Sequence, residues 1–343
     1  MLFAAAHVPT SSKRGVPLSE FLPQPPQLST TFRRSPLSNS TTVQQQNRMD
    51  VSHAIAVEEY VTFRGILMCK SIAENYPRVE EFEARPDDVL IATYPKAGTT
   101  WLSEIVDMVY QDGDAKKCSR DAIFNRVPYL EMCSPGMPSG VEQLAALPSP
   151  RLIKTHLPVH LIPESFWKNN CKILYMARNA KDVAVSYYFF QLAVKVLPAI
   201  KTWAEFLEKY MTGEVSCGSW YDHVKGWWQK RVDPCVLYLF YEDMKEDPIR
   251  EIRKVVQFLN KDLEEEVLEK IIRLTSFKSM KDNPMTNYTT LPQTFLDHSI
   301  SPFMRKGVSG DWKNHFTVAQ NERFEENYAR NMEGSLLSFR NEI

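Results

Sequence analysis

The sequence predicts an α/β fold: a single domain with a central, mainly parallel β-sheet flanked by helices on both faces. Three observations point to it. Short apolar, β-branched runs alternate with stretches of helical periodicity, as in strand–helix–strand units. The run Val89-Leu90-Ile91-Ala92 is wholly apolar, as a strand covered on both faces is. Polar residues stand at or shortly after the carboxyl ends of the candidate strands (Lys96, His156, Arg178), which is where open α/β sheets bind ligands.

The chain of 343 residues is 43% hydrophobic and 24% charged, the balance of a globular protein with a large core. A net charge of −1 argues against a general nucleic-acid binder. No run of eighteen apolar residues is present, so no membrane helix is predicted. The six cysteines (69, 118, 133, 171, 217 and 235) are scattered without CxxC spacing, which predicts reduced thiols in a cytoplasmic protein and no zinc site.

Residues 1–48 differ in kind from the rest. They are rich in Ser, Thr, Pro and Gln, with Glu20 as the one acid and Lys13, Arg14, Arg33, Arg34 and Arg48 as bases. The composition predicts a disordered extension before a domain at 49–343, with an organelle-targeting leader as the alternative. A chain starting at Met49 is expected to match the full chain in melting temperature and kcat/KM; lost activity on truncation would contradict this.

Within 49–343, Arg85-Pro86-Asp87-Asp88 makes the turn into the first central strand. The helix after it carries Leu102, Ile105, Val106 and Val109 at helical spacing. Residues 151–158 read as a strand whose period of two sets Lys154 and His156 on one face. His156 and His160 have metal-ligand spacing, but Pro158 between them breaks the helix such a pair needs. Residues 172–177 form another strand closed by Arg178; Asn179 caps a helix over 180–190, and Ser186 lies two turns in. Trp203, Phe206, Leu207 and Tyr210, then Trp220, Val224, Trp227 and Trp228, are core stripes of two helices. A third strand covers 236–241, amphipathic helices 249–259 and 263–274, and a functional loop 283–297.

Two stretches carry anion-binding chemistry. In Thr93 to Trp101, TYPKAGTTW, a Gly-containing turn joins strand to helix, so free backbone N–H groups, the helix dipole and Lys96 converge, with Thr99 and Thr100 as caps or phosphate donors. The Lys precedes the Gly, so this P-loop-like loop lacks the Gly-Lys-Ser/Thr order that holds Mg²⁺. Phe303 to Trp312, FMRKGVSGDW, joins a basic pair to two glycines and is a second candidate.

From Met49 onward the chain resembles the cytosolic sulfotransferases, particularly the phenol-sulfating family 1. The likeness rests on collinear segments: TYPKAGTTW, KTHLP, ARNAKDVAVSYY, GSWYDHV, YLFYEDM, TSFKSMKDNP, DHSISPFMRKG and GDWKNHFTVAQNE. It implies transfer of the sulfuryl group of 3′-phosphoadenosine-5′-phosphosulfate to a small phenolic or catechol-like hydroxyl, without a metal. The resemblance makes Lys96, Ala97, Gly98, Thr99, Thr100 and Trp101 the phosphosulfate-binding loop. Trp101 and Phe277 would stack on adenine, with Tyr241, Thr275, Ser276 and Met280 nearby. Arg178, Ser186, Phe303, Met304, Arg305, Lys306 and Gly307 match the 3′-phosphate region. His156 matches the catalytic base, with Lys96 and Lys154 as catalytic cations. Phe124, Tyr129, Met132, Phe190, Tyr288 and Phe295 would line the acceptor pocket beside Lys154 and His156. Lys313, Thr317, Val318 and Glu322 match the family's KxxxTVxxxE homodimer contact.

The chain departs from the family pattern in places. Ala97 stands where many relatives carry Ser, Tyr129 and Met132 where phenol-specific ones often carry Phe, and residues 1–48 have no counterpart. The alternatives are a P-loop-type small-molecule kinase, which requires the missing metal-holding order, and a non-catalytic nucleotide-binding module, which has no use for His156, Lys96 and Arg178 together.

Overall fold

A computed structural model describes residues 57–134 and 137–343; the extension expected at 1–48 lies outside the described residues. The described chain opens with an antiparallel hairpin, β1 (Tyr60–Phe63) and β2 (Ile66–Cys69), turned by Arg64 and Gly65, both at positive φ. Helix α1 (Lys70–Glu80) leads to β3 (Val89–Thr93) and α2 (Thr99–Tyr110). Next come β4 (Leu152–Thr155), β5 (Lys172–Ala177), α3 (Ala180–Ala193), α4 (Trp203–Thr212) and α5 (Trp220–Gln229). The chain then forms β6 (Val236–Phe240), α6 (Pro248–Phe258), α7 (Glu265–Leu274) and α8 (Val318–Met332).

The central sheet has four strands in the order β4-β3-β5-β6, every neighbouring pair parallel. Side chains of a strand alternate between faces, and two cores follow from that. Leu90, Ala92, Ile173, Tyr175 and Ala177 join a core built with residues of α1, α3, α4, α5 and α8. Val89, Ile91, Leu174 and Met176 join the opposite core, with residues of α2, α6 and α7. This is the expected sheet with helices on both faces.

Order along the sheet positions the site. From β3 the chain moves to β4 on one side and then to β5 on the other. The reversal opens a crevice at the carboxyl ends of these strands. TYPKAGTTW leaves β3 there, His156 follows β4, Arg178 follows β5, and Tyr241 follows β6.

Several boundaries shift from the sequence reading. The third strand stops at Phe240, and Tyr241 begins a short helix instead. Helix α3 runs on to Ala193, because Ala, Gln and Leu continue good helical packing beyond Phe190. Thr99 and Thr100 are not caps: Gly98, at φ 109°, holds that position without a side-chain bond to the helix end. The hairpin and α8 carried little sequence signal; in α8 only Phe324 and Met332 are buried, so no apolar stripe marks it.

Candidate active site

Two residues of the loop after β3 have left-handed backbone, Lys96 at φ 67° and Gly98 at φ 109°. A Cβ on Gly98 would lie 2.7 Å from Met176 Sδ and 3.0 Å from the Tyr241 ring. Glycine is thus required both by its φ and by the closeness of β5 and the Tyr241 ring. With no side-chain cap, the first N–H groups of α2 remain available to an anion. The Thr99 hydroxyl sits 2.7 Å from that of Thr93, and Thr100 Oγ1 makes a long 3.5 Å contact to Tyr288 Oη.

Lys96 Nζ lies between the Phe190 and Phe303 rings, 4.4 and 4.1 Å from their centroids. Among the described residues no carboxylate reaches it. Burial among rings, reinforced by the nearby Arg178 and Arg305, lowers its pKa to about 7. Lysine without a counter-ion beside open helix N–H groups is a cradle awaiting an anion.

The second anion candidate assembles around Arg178, which is buried at the end of β5. Its guanidinium donates to Val308 O at 2.8 Å and Lys96 O at 3.3 Å, and stacks on the Tyr241 ring at 4.3 Å. Arg305 and Lys306 are held by Asp311, at 2.7 and 2.6 Å. Burial opposes ionisation of Asp311, but Lys306, Asn314 and Arg305 together keep its carboxyl well below the usual range. Lys96, Ser186 and Arg305 line one cavity with Phe189, Phe190 and Phe303. Asp182 accepts from Gly310 N and Trp312 N at 2.8 and 3.0 Å, pinning this loop to α3. Gly307, at φ 65°, packs under Phe277, whose ring lies 2.0 Å from where a Cβ would stand.

Three buried donors in this region have no partner among the described residues: Arg178 Nε, Arg305 Nε and Trp101 Nε1. Buried N–H groups are rarely left unpaired in a finished structure. Their convergence with Lys96 fits a ligand carrying anions at both ends. The Trp101 ring stands edge-on to Tyr241 at 5.4 Å, and Arg178 covers the same tyrosine. Other candidates are less committed to a ligand. The Thr275 hydroxyl donates to Ile271 O at 2.8 Å, and Ser276 caps the helical turn Phe277–Lys281. Met280 is buried, and Met304 is partly exposed.

His156 is fixed on every polar atom. Its Nδ1–H donates to Thr93 O at 2.8 Å, which leaves Nε2 with the lone pair. Tyr129 Oη donates to that Nε2 at 2.9 Å. The His156 backbone N–H donates to Glu131 Oε1 at 2.7 Å, and its carbonyl accepts from His223 Nε2 at 3.1 Å. Tyr175 Oη in turn donates to His223 Nδ1 at 2.8 Å. Burial lowers the His156 pKa to about 4, partly offset by the Thr93 bond and reinforced by Lys154 and Lys96. The ring is therefore neutral at neutral pH, with the Nε2 lone pair free of a proton.

Residues 128–130 run alongside β4: Lys154 N donates to Pro128 O and Leu130 N to Lys154 O, at 3.0 and 2.9 Å. This pairing brings Tyr129, Lys154 and His156 together. Lys154 is fully buried, with Nζ 4.5 Å above the Tyr129 ring centroid and 3.4 Å from Tyr288 Oη. Burial first, then Arg126, lowers its pKa to about 7.

An aromatic wall follows. Tyr288 stacks on Phe303 with centroids 3.9 Å apart, Phe124 meets Tyr288 at 5.4 Å, and Phe190 meets Phe303 at 6.0 Å. Phe303, expected on the donor side, thus touches both Lys96 and this wall. Phe295 packs against the second core, and Met132 is 37% exposed; neither makes a ring contact with the wall. Residues missed in the sequence are those that hold others in place: Thr93, Glu131, His223, Asp182 and Asp311. Asp311 had a usable signal, as the one acid in the basic segment 303–312. Arg126 was missed too; it pairs with Glu104 at 2.7 Å and with Asp107, fastening the stretch before Tyr129 to α2.

Known proteins resemble this chain over most of its length. The sulfotransferase-domain family profile matches residues 86–336. Sulfotransferase 1 family member D1 of mouse is 60% identical over 297 residues, covering 87% of this chain and 99% of the relative. Sulfotransferase 1E1 of guinea pig is 55% identical over 295 residues, covering 86% of this chain and 100% of the relative. Among solved structures, mouse sulfotransferase SULT7A1 complexed with PAP is 34% identical with a TM-score of 0.67, over 80% of this chain and 95% of that one. Retinol dehydratase in complex with androsterone and inactive cofactor PAP is 26% identical with a TM-score of 0.77, over 83% and 92%. The profile over most of the chain and relatives above half identity establish that this chain belongs to the sulfotransferase family, among its family 1 members.

Proposed function

We propose that this enzyme moves the sulfuryl group of 3′-phosphoadenosine-5′-phosphosulfate to the hydroxyl of a small phenolic acceptor, with His156 as general base. Sulfuryl transfer is the reaction of its family. The observation that carries the acceptor class is the His156 lone pair beside Tyr129 and Lys154, which connect it to the aromatic cluster of Tyr288, Phe303, Phe124 and Phe190. A flat ring fits beside such a cluster, and its hydroxyl would meet Nε2.

Each group has a task in this reading. Neutral His156 takes the acceptor proton as oxygen attacks sulfur. Lys96 and the N–H groups of α2 stabilise charge growing on the leaving phosphate, from fixed positions. Arg178, Ser186, Arg305 and Lys306 clamp the 3′-phosphate, while Trp101 and Phe277 flank the adenine. The kinase alternative finds no support in the family match. Donor-dependent turnover across phenols, catecholamines, iodothyronines and hydroxysteroids tests the acceptor class; exclusive turnover of aliphatic alcohols would overturn it.

Lys96 gives a pH prediction. In the free site its ammonium is disfavoured, with a pKa of about 7, and an anionic donor favours it. Donor binding above pH 7 should therefore take up a proton, and Kd should weaken as pH rises further. Calorimetry in two buffers of different ionisation enthalpy reads the uptake; identical apparent enthalpies would exclude it.

The same reading places the protein in the cytoplasm, consistent with six free cysteines. Among the described residues no helix is long and apolar enough to cross a membrane. We further propose a homodimer through Lys313, Thr317, Val318 and Glu322. Val318 is 76% exposed at the start of α8, and Thr317 caps that helix. Lys313 pairs with Glu342 of its own chain. A contact this small is weak to moderate. Thr317→Glu with Val318→Glu should give monomers by light scattering; a surviving dimer would have to use another face.

A further inference from the structure

Any hydroxyl that His156 deprotonates must hydrogen-bond Nε2, because Nδ1–H is committed to Thr93 O. In this structure a hydroxyl already stands there: Tyr129 Oη, 2.9 Å from Nε2. It is a phenol, the chemical class proposed for the acceptor. We propose that Tyr129 is itself an acceptor: with donor bound and the acceptor pocket empty, the enzyme transfers a sulfuryl group to its own Tyr129 Oη. The inference rests on the sulfuryl-transfer reading above.

The surroundings suit this reaction. Thr93 Oγ1 stands 2.7 Å from the hydroxyl of Thr99, first in α2 at the anion cradle, and 3.3 Å from His156 Nδ1, so one threonine joins the base to the cradle. The Tyr129 oxygen is bonded to that same imidazole, whose other face Thr93 ties to the donor loop. The backbone pairing of residues 128–130 with β4 fixes where the ring starts. Lys154 Nζ, 4.5 Å above that ring and without an ion-pair partner among the described residues, supplies countercharge for an aryl sulfate.

The step balances. The Tyr129 proton passes to His156 Nε2 and an Oη–S bond forms. The bond from sulfur to the bridging phosphate oxygen breaks, its electron pair leaving with 3′,5′-bisphosphoadenosine. Burial raises the Tyr129 pKa well above 10, so this nucleophile is slow beside a substrate phenol. A bound acceptor takes Nε2 for itself and protects the tyrosine. The product leaves a sulfated ring against the base, which closes the pocket to further acceptors.

The test incubates the full chain with donor alone, followed by intact-mass measurement and peptide mapping. The expected result is one added SO₃ on the peptide carrying Tyr129, matched by released bisphosphate and by progressive loss of phenol turnover. Saturating 4-nitrophenol should suppress the label, Tyr129→Phe should take up none, and His156→Ala should label about 10²-fold more slowly or worse. An unlabelled chain in a preparation that sulfates phenols overturns the proposal while sparing the function, as does undiminished label in Tyr129→Phe. A preparation that sulfates no phenol sinks the functional reading and this proposal with it.

Discussion

His156→Ala is expected to lower kcat by about 10²–10⁴-fold while leaving donor affinity nearly unchanged. The loop should survive the change, because Glu131 and His223 hold the backbone N–H and C=O of residue 156, and neither bond needs the imidazole. What disappears is the lone pair that Thr93 O aims by fixing the proton on Nδ1. Single-turnover rates and donor calorimetry separate the two quantities; a kcat within a few-fold of the parent would remove His156 from the role of base. The pH profile gives a second check. With a pKa lowered to about 4, the base stays neutral far into acid, and kcat/KM should fall only as pH drops towards that value. An acid limb at the ordinary histidine pKa would mean the ring is wetter than this structure has it.

The second large effect is expected at the 3′-phosphate. Arg305→Ala should weaken 3′,5′-bisphosphoadenosine about 10- to 100-fold, the range of a lost charge-assisted bond. Adenosine 5′-phosphosulfate, which lacks the 3′-phosphate, should bind nearly as before. Asp311 keeps Lys306 and Asn314 as partners after the change, so the loop should stay ordered. Arg178→Ala should cost more and discriminate less, because the guanidinium also holds Lys96 O and Val308 O. Calorimetry with both nucleotides decides; equal losses for Arg305→Ala would place the 3′-phosphate elsewhere.

What the sequence made legible was what periodicity and residue chemistry encode locally. Val89 to Ala92 declared a buried strand, TYPKAGTTW an anion turn, and Lys154 with His156 a shared face. What it hid were contacts made across the sheet edge. His223, sixty-seven positions from His156, reaches its carbonyl only after α5 packs behind β5. Glu131 and Tyr129 reach His156 because an irregular stretch pairs with β4, and irregular pairing has no periodic signature. The threonines misled for a related reason. Their hydroxyls looked free to cap, but a left-handed Gly98 had taken the cap position and turned them towards Thr93 and Tyr288.

Arg178 spans two loops that meet nowhere in sequence, gripping one carbonyl from each. On the proposed reading, in which these loops hold the sulfuryl and 3′-phosphate ends of the donor, the gap between those ends is gauged by a single side chain. A planar guanidinium can keep that gauge because its donors diverge at fixed angles. Lysine at 178 would preserve the charge and lose the ruler, since one ammonium on a flexible stem cannot hold two carbonyls a set distance apart. Donor length would then be measured by loops free to drift, and a nucleotide would be accepted for its charge before its shape.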